Sequence, residues 1–137
     1  LVRKLEILLE TDFRENQITF SVQCHPLSIE INGDENQLSQ VFLNLLKNAM
    51  QALEGRTDGV ISLRVSQTEH ILIEIADNGI GIPEELQEKV FIPFFTTKSE
   101  GTGIGLSLCK QIIRQHQGHL SIGISQPGKT IFIIELP

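Results

Sequence analysis

Apolar residues recur every three to four positions between Asp34 and Gly55. Leu38, Val41, Phe42, Leu45, Leu46, Ala49 and Leu53 form one stripe, the spacing of an amphipathic helix. Asp34 stands where an N-cap belongs, Gln37 is placed to close a capping box, and Gly55 can end the helix. A second line runs beside the stripe: Gln37, Gln40, Asn44, Asn48 and Gln51, also at steps of three and four. A solvated helix face normally carries Glu, Lys and Arg. Neutral amides in a row donate and accept hydrogen bonds without adding charge, which suits contact with something already highly charged. From this stretch alone, a plain polar flank reads equally well.

The flanking segments follow two other rhythms. Leu1 to about Asp12 predicts a short helix with Val2, Leu5, Leu8 and Leu9 on its apolar side. Ile18, Phe20, Val22 and Cys24 then alternate with polar residues, as in a half-buried strand. Leu27, Ile29 and Ile31 repeat that pattern after His25-Pro26, and Asn32-Gly33 predicts the turn into the central helix. Ile61, Leu63 and Val65 pair with Ile71, Ile73 and Ile75 as an expected hairpin around Gln67-Thr68. Asp77 continues the parity of 71, 73 and 75, so a carboxylate is expected on the buried side of the sheet. Left unpaired there it would be costly, and it therefore needs a partner.

Asp77 opens the run Asp77-Asn78-Gly79-Ile80-Gly81-Ile82-Pro83. Two glycines one residue apart let a backbone approach a flat ligand closely; the same letters also describe an ordinary turn. Pro83 begins a short helical piece, and Phe91, Phe94 and Phe95 are expected as core or hinge anchors. Thr96 to Thr102 has few apolar residues and is a candidate lid. Gly101, Gly103 and Gly105 lead into a helix expected to reach about Gln117, with Ile104, Leu108, Cys109, Ile112 and Ile113 on its apolar arc. Such a loop aims backbone N–H groups and the positive end of a helix dipole at an anion. Read blandly, it is a flexible loop before a core helix. Leu120 to Ile124 and Thr130 to Leu136 predict a closing hairpin, with Thr130 on the face of Phe132, Ile134 and Leu136.

Composition narrows the class. The 137 residues suit one domain with a real core. With 40% hydrophobic and 20% charged residues, the chain is globular rather than disordered. A net charge of −6 argues against a nucleic-acid partner. Cys24 and Cys109 are too few and too far apart for a disulfide framework, so buried thiols in a reducing cytoplasm are expected. No apolar run approaches the ~20 residues of a membrane span. The chain starts at Leu1 without an initiator Met, so it is expected to be a cytoplasmic fragment of a longer parent, and the lack of a span here says little about whether that parent is membrane-bound. Gly123 to Thr130 fits the Walker A pattern, but that motif requires a following helix. Here IFIIELP follows, alternating as a strand, so the match is discarded.

Taken together, the stretches resemble the ATP-binding catalytic domain of bacterial sensor histidine kinases. That domain lies within a superfamily that includes type II topoisomerases, mismatch-repair ATPases and a heat-shock chaperone. QVFLNLLKNAMQAL is similar to the N box, DNGIGIP to the G1 box, FIPFF to the F box and GTGIGL to the G2 box. GKTIFIIELP is similar to the closing strand, and TTK before the second glycine box favours the histidine kinase branch. The resemblance covers nearly the whole chain. It implies a two-layer α/β sandwich, an α+β fold in which a mixed, mostly antiparallel sheet is covered on one face by three helices.

For the site, the resemblance implies ATP with Mg²⁺. Asn48 would be the metal ligand, with Asn44 orienting water or the phosphate tail and Gln51 nearby. Asp77 would accept from the adenine amine, beside Gly79, Gly81, Ile82 and Thr130. Gly101, Thr102, Gly103, Ile104, Gly105 and Leu106 would wrap the phosphates. Lys98 is the candidate for stabilising γ-phosphate charge, since phosphoryl transfer relies on positioning and electrostatics. Many family members carry Lys or Arg where this chain has Gln51, which leaves the positive charge at the phosphates unassigned.

The histidines His25, His70, His116 and His119 lie outside any phosphoacceptor context and are expected to be structural or surface residues. The expected partners are a phosphoacceptor helical hairpin of the same protein or its dimer mate, and a cognate response regulator. Rival readings are a serine kinase on the same fold and a non-enzymatic nucleotide-binding module.

Overall fold

The alternating apolar runs become the inner face of one sheet. In the computed structural model, which describes residues 1–26, 29–95 and 105–137, three α-helices and five strands are present. They follow the order α1 (Val2–Glu15), β1 (Ile18–His25), α2 (Glu35–Ala52), β2 (Gly59–Gln67), β3 (Ile71–Asp77), α3 (Gly105–Gln115), β4 (His119–Gln126) and β5 (Lys129–Leu136). The sheet order is β1-β2-β3-β5-β4. β1 runs parallel to β2, and the other neighbouring pairs are antiparallel. Ile61, Leu63, Ile73, Ile75, Phe132 and Ile134 are buried on the inner face. Val41, Leu45 and Leu46 of α2 and Ile112 and Ile113 of α3 are buried with them. Removing such side chains from water contributes about 1.5–3 kcal/mol each.

α2 is the expected central helix, and Asp34 caps it by accepting from Gln37 N at 3.0 Å. The capping box does not close as expected. The Asp34 N–H instead donates to His116 Nε2 at 3.1 Å, while His116 Nδ1 faces Ile112 O at 2.8 Å. A carbonyl only accepts, so Nδ1 carries the proton and Nε2 is the acceptor. His116 thus fastens the start of α2 to the end of α3, which fits its expected structural role. A Cβ at Gly33 would stand 2.5 Å from the His116 ring, so glycine there serves this packing as well as the turn.

Several expectations need correction. α1 runs past Asp12 to Glu15, and Phe13 rather than Leu8 completes its buried side. Phe13 stacks on Phe20 with centroids 4.8 Å apart, while Leu8 is 63% exposed. Positions 5, 9 and 13 share one helical face, and 8 lies off it. Ile29 and Ile31 form no strand; they are half-buried against the core, and Leu27 lies outside the described residues. Alternation reports one-sided burial, which irregular chain packed on the core satisfies as well as a strand does. The piece after Pro83 forms two short 3-10 turns, Glu84–Leu86 and Lys89–Phe91. Phe91 is an anchor, edge-on to Phe132 at 6.3 Å and beneath Lys110 Nζ at 4.5 Å. Phe94 is not, being 79% exposed with φ +68°. The closing hairpin is longer than expected and carries a register shift between Ile122 and Ile124.

Replacing Asp34 by Ala should lower unfolding stability by about 1 kcal/mol, read as a shifted urea midpoint with an unchanged slope. An unmoved midpoint would show that the cap contributes nothing.

Candidate functional site

The parity of β3 brings its last residue inward. Asp77 is 6% exposed and Thr130, its partner across β3 and β5, is 3% exposed. They are the two buried polar side chains of an otherwise apolar layer among the described residues. Asp77 Oδ1 accepts from Gly79 N at 2.8 Å, so the expected partner of the carboxylate is in part the loop that follows it. Among the described residues no buried side-chain nitrogen or oxygen lacks a partner.

The loop 78–82 is fastened on two sides. Asn78 Oδ1 accepts from Val60 N at 2.7 Å, and its Nδ2 donates to Asp58 O at 3.0 Å. Arg56 Nη1 donates to Asn78 O at 2.6 Å, and Ile80 N donates to Ala52 O at 3.3 Å at the end of α2. On the other side, Gly128 N donates to Gly79 O at 2.8 Å, and Ile82 N donates to Ser125 Oγ at 2.7 Å. Each glycine has a steric reason within the protein itself. A Cβ at Gly79 would meet Ala52 O at 2.5 Å. One at Gly81, where φ is +81°, would meet the Gln126 backbone at 2.6 Å. The close approach that these glycines permit here is to the chain's own backbone.

This fastening sets the distance to the amide row. Ala52 lies four residues, about one helical turn, after Asn48, a rise of about 6 Å in the usual geometry. Asn48 and Asn44 are half-buried on successive turns, and Gln51 is exposed. α3 begins at Gly105 beside the same stretch: one turn further on, the Cys109 thiol donates to Val41 O at 3.8 Å and hydrogen-bonds the Asn44 side chain. Leu106 is half-buried in that first turn. Asp77, Gly79, Gly81, Ile82 and Thr130 are thus gathered around the loop 78–82, which Ala52 ties to the end of α2, the helix that carries Asn44 and Asn48, while Gly105 and Leu106 open α3, which packs on α2 through Cys109. Lys98, Gly101, Thr102, Gly103 and Ile104 lie outside the described residues. The open groove of about 560 Å³ between α1 and β1 contains none of these positions.

Three contributors escaped the sequence reading. Asn78 had a usable signal, since Asn before Gly commonly bonds nearby backbone. Arg56 had none, because Asn78 lies 22 residues away, and Ser125 had none, because its inward turn depends on the register shift between β4 and β5.

A family model described as "Histidine kinase-, DNA gyrase B-, and HSP90-like ATPase" matches residues 33–137. The chain belongs to this ATPase family. Sporulation kinase A of Bacillus subtilis is 38% identical over the whole chain, which spans only 22% of that protein. Sensory histidine kinase/phosphatase NtrB of Rhodobacter capsulatus is 41% identical over 77% of the chain and 33% of its own length. The solved catalytic domain of histidine kinase ThkA is 34% identical, with a TM-score of 0.89 over 99% of this chain and 89% of that one. The two-layer α+β fold expected from the sequence is that of these histidine kinase catalytic domains.

Burial in this ATPase domain pushes the Cys109 thiol up from its ordinary 9.0 to about 11, against the lowering effect of its hydrogen bond with Asn44. Between those values the folded chain keeps a proton that the unfolded chain has lost. Stability should therefore fall as pH rises from about 9 towards 11, by about 2–3 kcal/mol in all. Urea unfolding across that range should show this decline, and Cys109→Ala should flatten it whatever its own baseline stability. An identical slope in both proteins would refute the assignment.

Proposed function

We propose that this chain is the ATP-binding catalytic unit of a sensor histidine kinase, whose parent transfers the γ-phosphoryl group of ATP to a histidine on a separate helical hairpin. The observation that carries this reading is the buried Asp77–Thr130 pair, followed by a loop whose Ile80 N–H bonds Ala52 O, one helical turn beyond Asn48. A carboxylate acceptor beside a hydroxyl suits the edge of adenine. The amides of Asn44 and Asn48 suit a polyphosphate, because they add no negative charge to it. The family membership supports the same assignment.

Magnesium fits the donor chemistry. It prefers oxygen ligands and keeps several waters, and no group of three or more His, Cys, Asp or Glu side chains competes for a metal among the described residues. The amide oxygen of Asn48 would hold the ion together with phosphate oxygens, and the ion would neutralise phosphate charge. Asn44 would orient the phosphate tail and is a poor base, which favours transfer over hydrolysis. Gly101 to Leu106 would close over the phosphates at the start of α3, with Lys98 supplying positive charge in place of Gln51. In a solved structure of ThkA with the response regulator TrrA, the kinase is 32% identical to this chain, with a TM-score of 0.84 over 99% of it and 39% of that chain. A response regulator is accordingly the proposed downstream partner, and a dimer mate can supply the acceptor hairpin.

Calorimetry should detect Mg·ATP binding to the chain itself. Asn48→Ala should weaken Mg·ATP at least tenfold while leaving metal-free ADP within about twofold, since one charge-assisted contact is worth about 1.5–3 kcal/mol. Equal loss of both ligands would remove Asn48 from the metal.

With γ-labelled ATP, the chain alone should take up no label, whereas a parent carrying the acceptor hairpin should gain an acid-labile phosphoryl group. Histidine labelling of the chain alone would overturn the separate acceptor, and an acid-stable product in the parent would overturn the histidine kinase reading in favour of a serine kinase.

A further inference from the structure

The second strand of the closing hairpin alternates regularly, but β4 does not. Leu120 lies opposite Ile134 and Ile122 opposite Phe132, both on the core face. Regular alternation would next bring Ile124 inward, opposite Thr130. The register instead shifts between Ile122 and Ile124. The extra residue turns Ile124 outward, 45% exposed, and sets Ser125 opposite Thr130. Gly123 occupies the shift, and a Cβ there would stand 2.4 Å from Ile133 Cδ1. A bulge of this kind re-aims side chains at a sheet end, and here it replaces an isoleucine with a hydroxyl at the floor of the site.

That hydroxyl has two neighbours. Ile82 N lies 2.7 Å away and can only donate, so Ser125 Oγ accepts from it. Thr130 Oγ1 lies 2.9 Å away, with either oxygen a possible donor. A hydroxyl has one proton. If Ser125 gives its proton to Thr130, the bonds run in one direction from Ile82 N–H through Ser125 to Thr130, and the Thr130 proton is left to point beside Asp77. If Thr130 gives its proton to Ser125, the Ser125 proton needs another acceptor. The Ser125 backbone is also held, because Gln87 Nε2 donates to both Ile82 O at 3.0 Å and Ser125 O at 3.3 Å.

We infer that Ser125 is a positioning residue: it donates to Thr130 and so presents the Thr130 proton to the site, next to the Asp77 carboxylate. An acceptor beside a donor matches a base edge carrying an exocyclic amine next to a ring nitrogen with a lone pair, which is the edge of adenine. This inference rests on the ATP reading above and adds the residue that sets the polarity of the floor.

The test compares ATP with an analogue in which CH replaces the ring nitrogen beside the amine. Ser125→Ala should weaken ATP about five- to tenfold, the worth of one hydrogen bond, and the CH analogue less than about twofold. Ser125→Thr should restore the wild-type ratio. Ser125→Cys, which keeps a weak donor, should give an intermediate ratio and serves if the alanine variant does not fold. Thr130→Val should lose the same discrimination, with no further loss when combined with Ser125→Ala. Equal weakening of both ligands by Ser125→Ala would mean that the serine only steadies the loop, and would overturn the inference. Tighter ATP binding would overturn it too, because Thr130 would then have been the donor. Wild-type protein that binds neither ligand would defeat the ATP reading itself, whereas wild-type binding with an unchanged ratio in Ser125→Ala defeats this inference alone.

Discussion

The pairing of β3 with β5 in one fixed register is the constraint on which the site depends. It aligns Ile71, Ile73 and Ile75 with Leu136, Ile134 and Phe132, and the next inward pair is Asp77 with Thr130. A slip by one residue would turn the isoleucines to solvent and the carboxylate with them. The apolar pairs therefore hold the polar pair in place, and burial of three isoleucines outweighs the cost of bringing one satisfied carboxylate out of water. The site lies where the core layer ends, and it uses the same face and the same period as the core.

Around that pair the loop 78–82 is fastened to two elements that are distant in sequence. The end of α2 holds it through Ala52 O, and the β4–β5 hairpin holds it through Gly128 N and Ser125 Oγ. Helix and hairpin approach so closely that Gly79 and Gly81 have no room for side chains. The adenine end of the proposed site is thus built into the fold before any nucleotide arrives. The phosphate end depends on how α2 and α3 meet, through His116 with Asp34 at one end and Cys109 with Asn44 further along. Preorganisation of the first kind limits the entropy lost on binding.

Much of this was legible in the residue pattern. The central helix, both hairpins, the inward parity of Asp77 and the shared face of Thr130 followed from periods of 3.6 and 2, because burial on one side forces those periods. The motif order carried the family and the two-layer fold. Where the pattern misled, one signal had two physical solutions: alternation at Ile29 and Ile31 marked one-sided burial without strand pairing, and three nearby phenylalanines included Phe94, which faces solvent.

By itself the sequence determined which faces are apolar, where helices begin and which short motifs recur, since these depend on neighbours within a few residues. Tertiary structure alone decided that β1 lies parallel to β2, that His116 rather than Gln37 completes the Asp34 turn, and that a bulge at Gly123 brings Ser125 beneath Thr130. The first two outcomes join residues far apart along the chain, and the third depends on how β4 registers against β5. The Asp34 amide and the Ile82 amide take whichever acceptor the packed elements bring within about 3 Å, and no local period records which acceptor that will be.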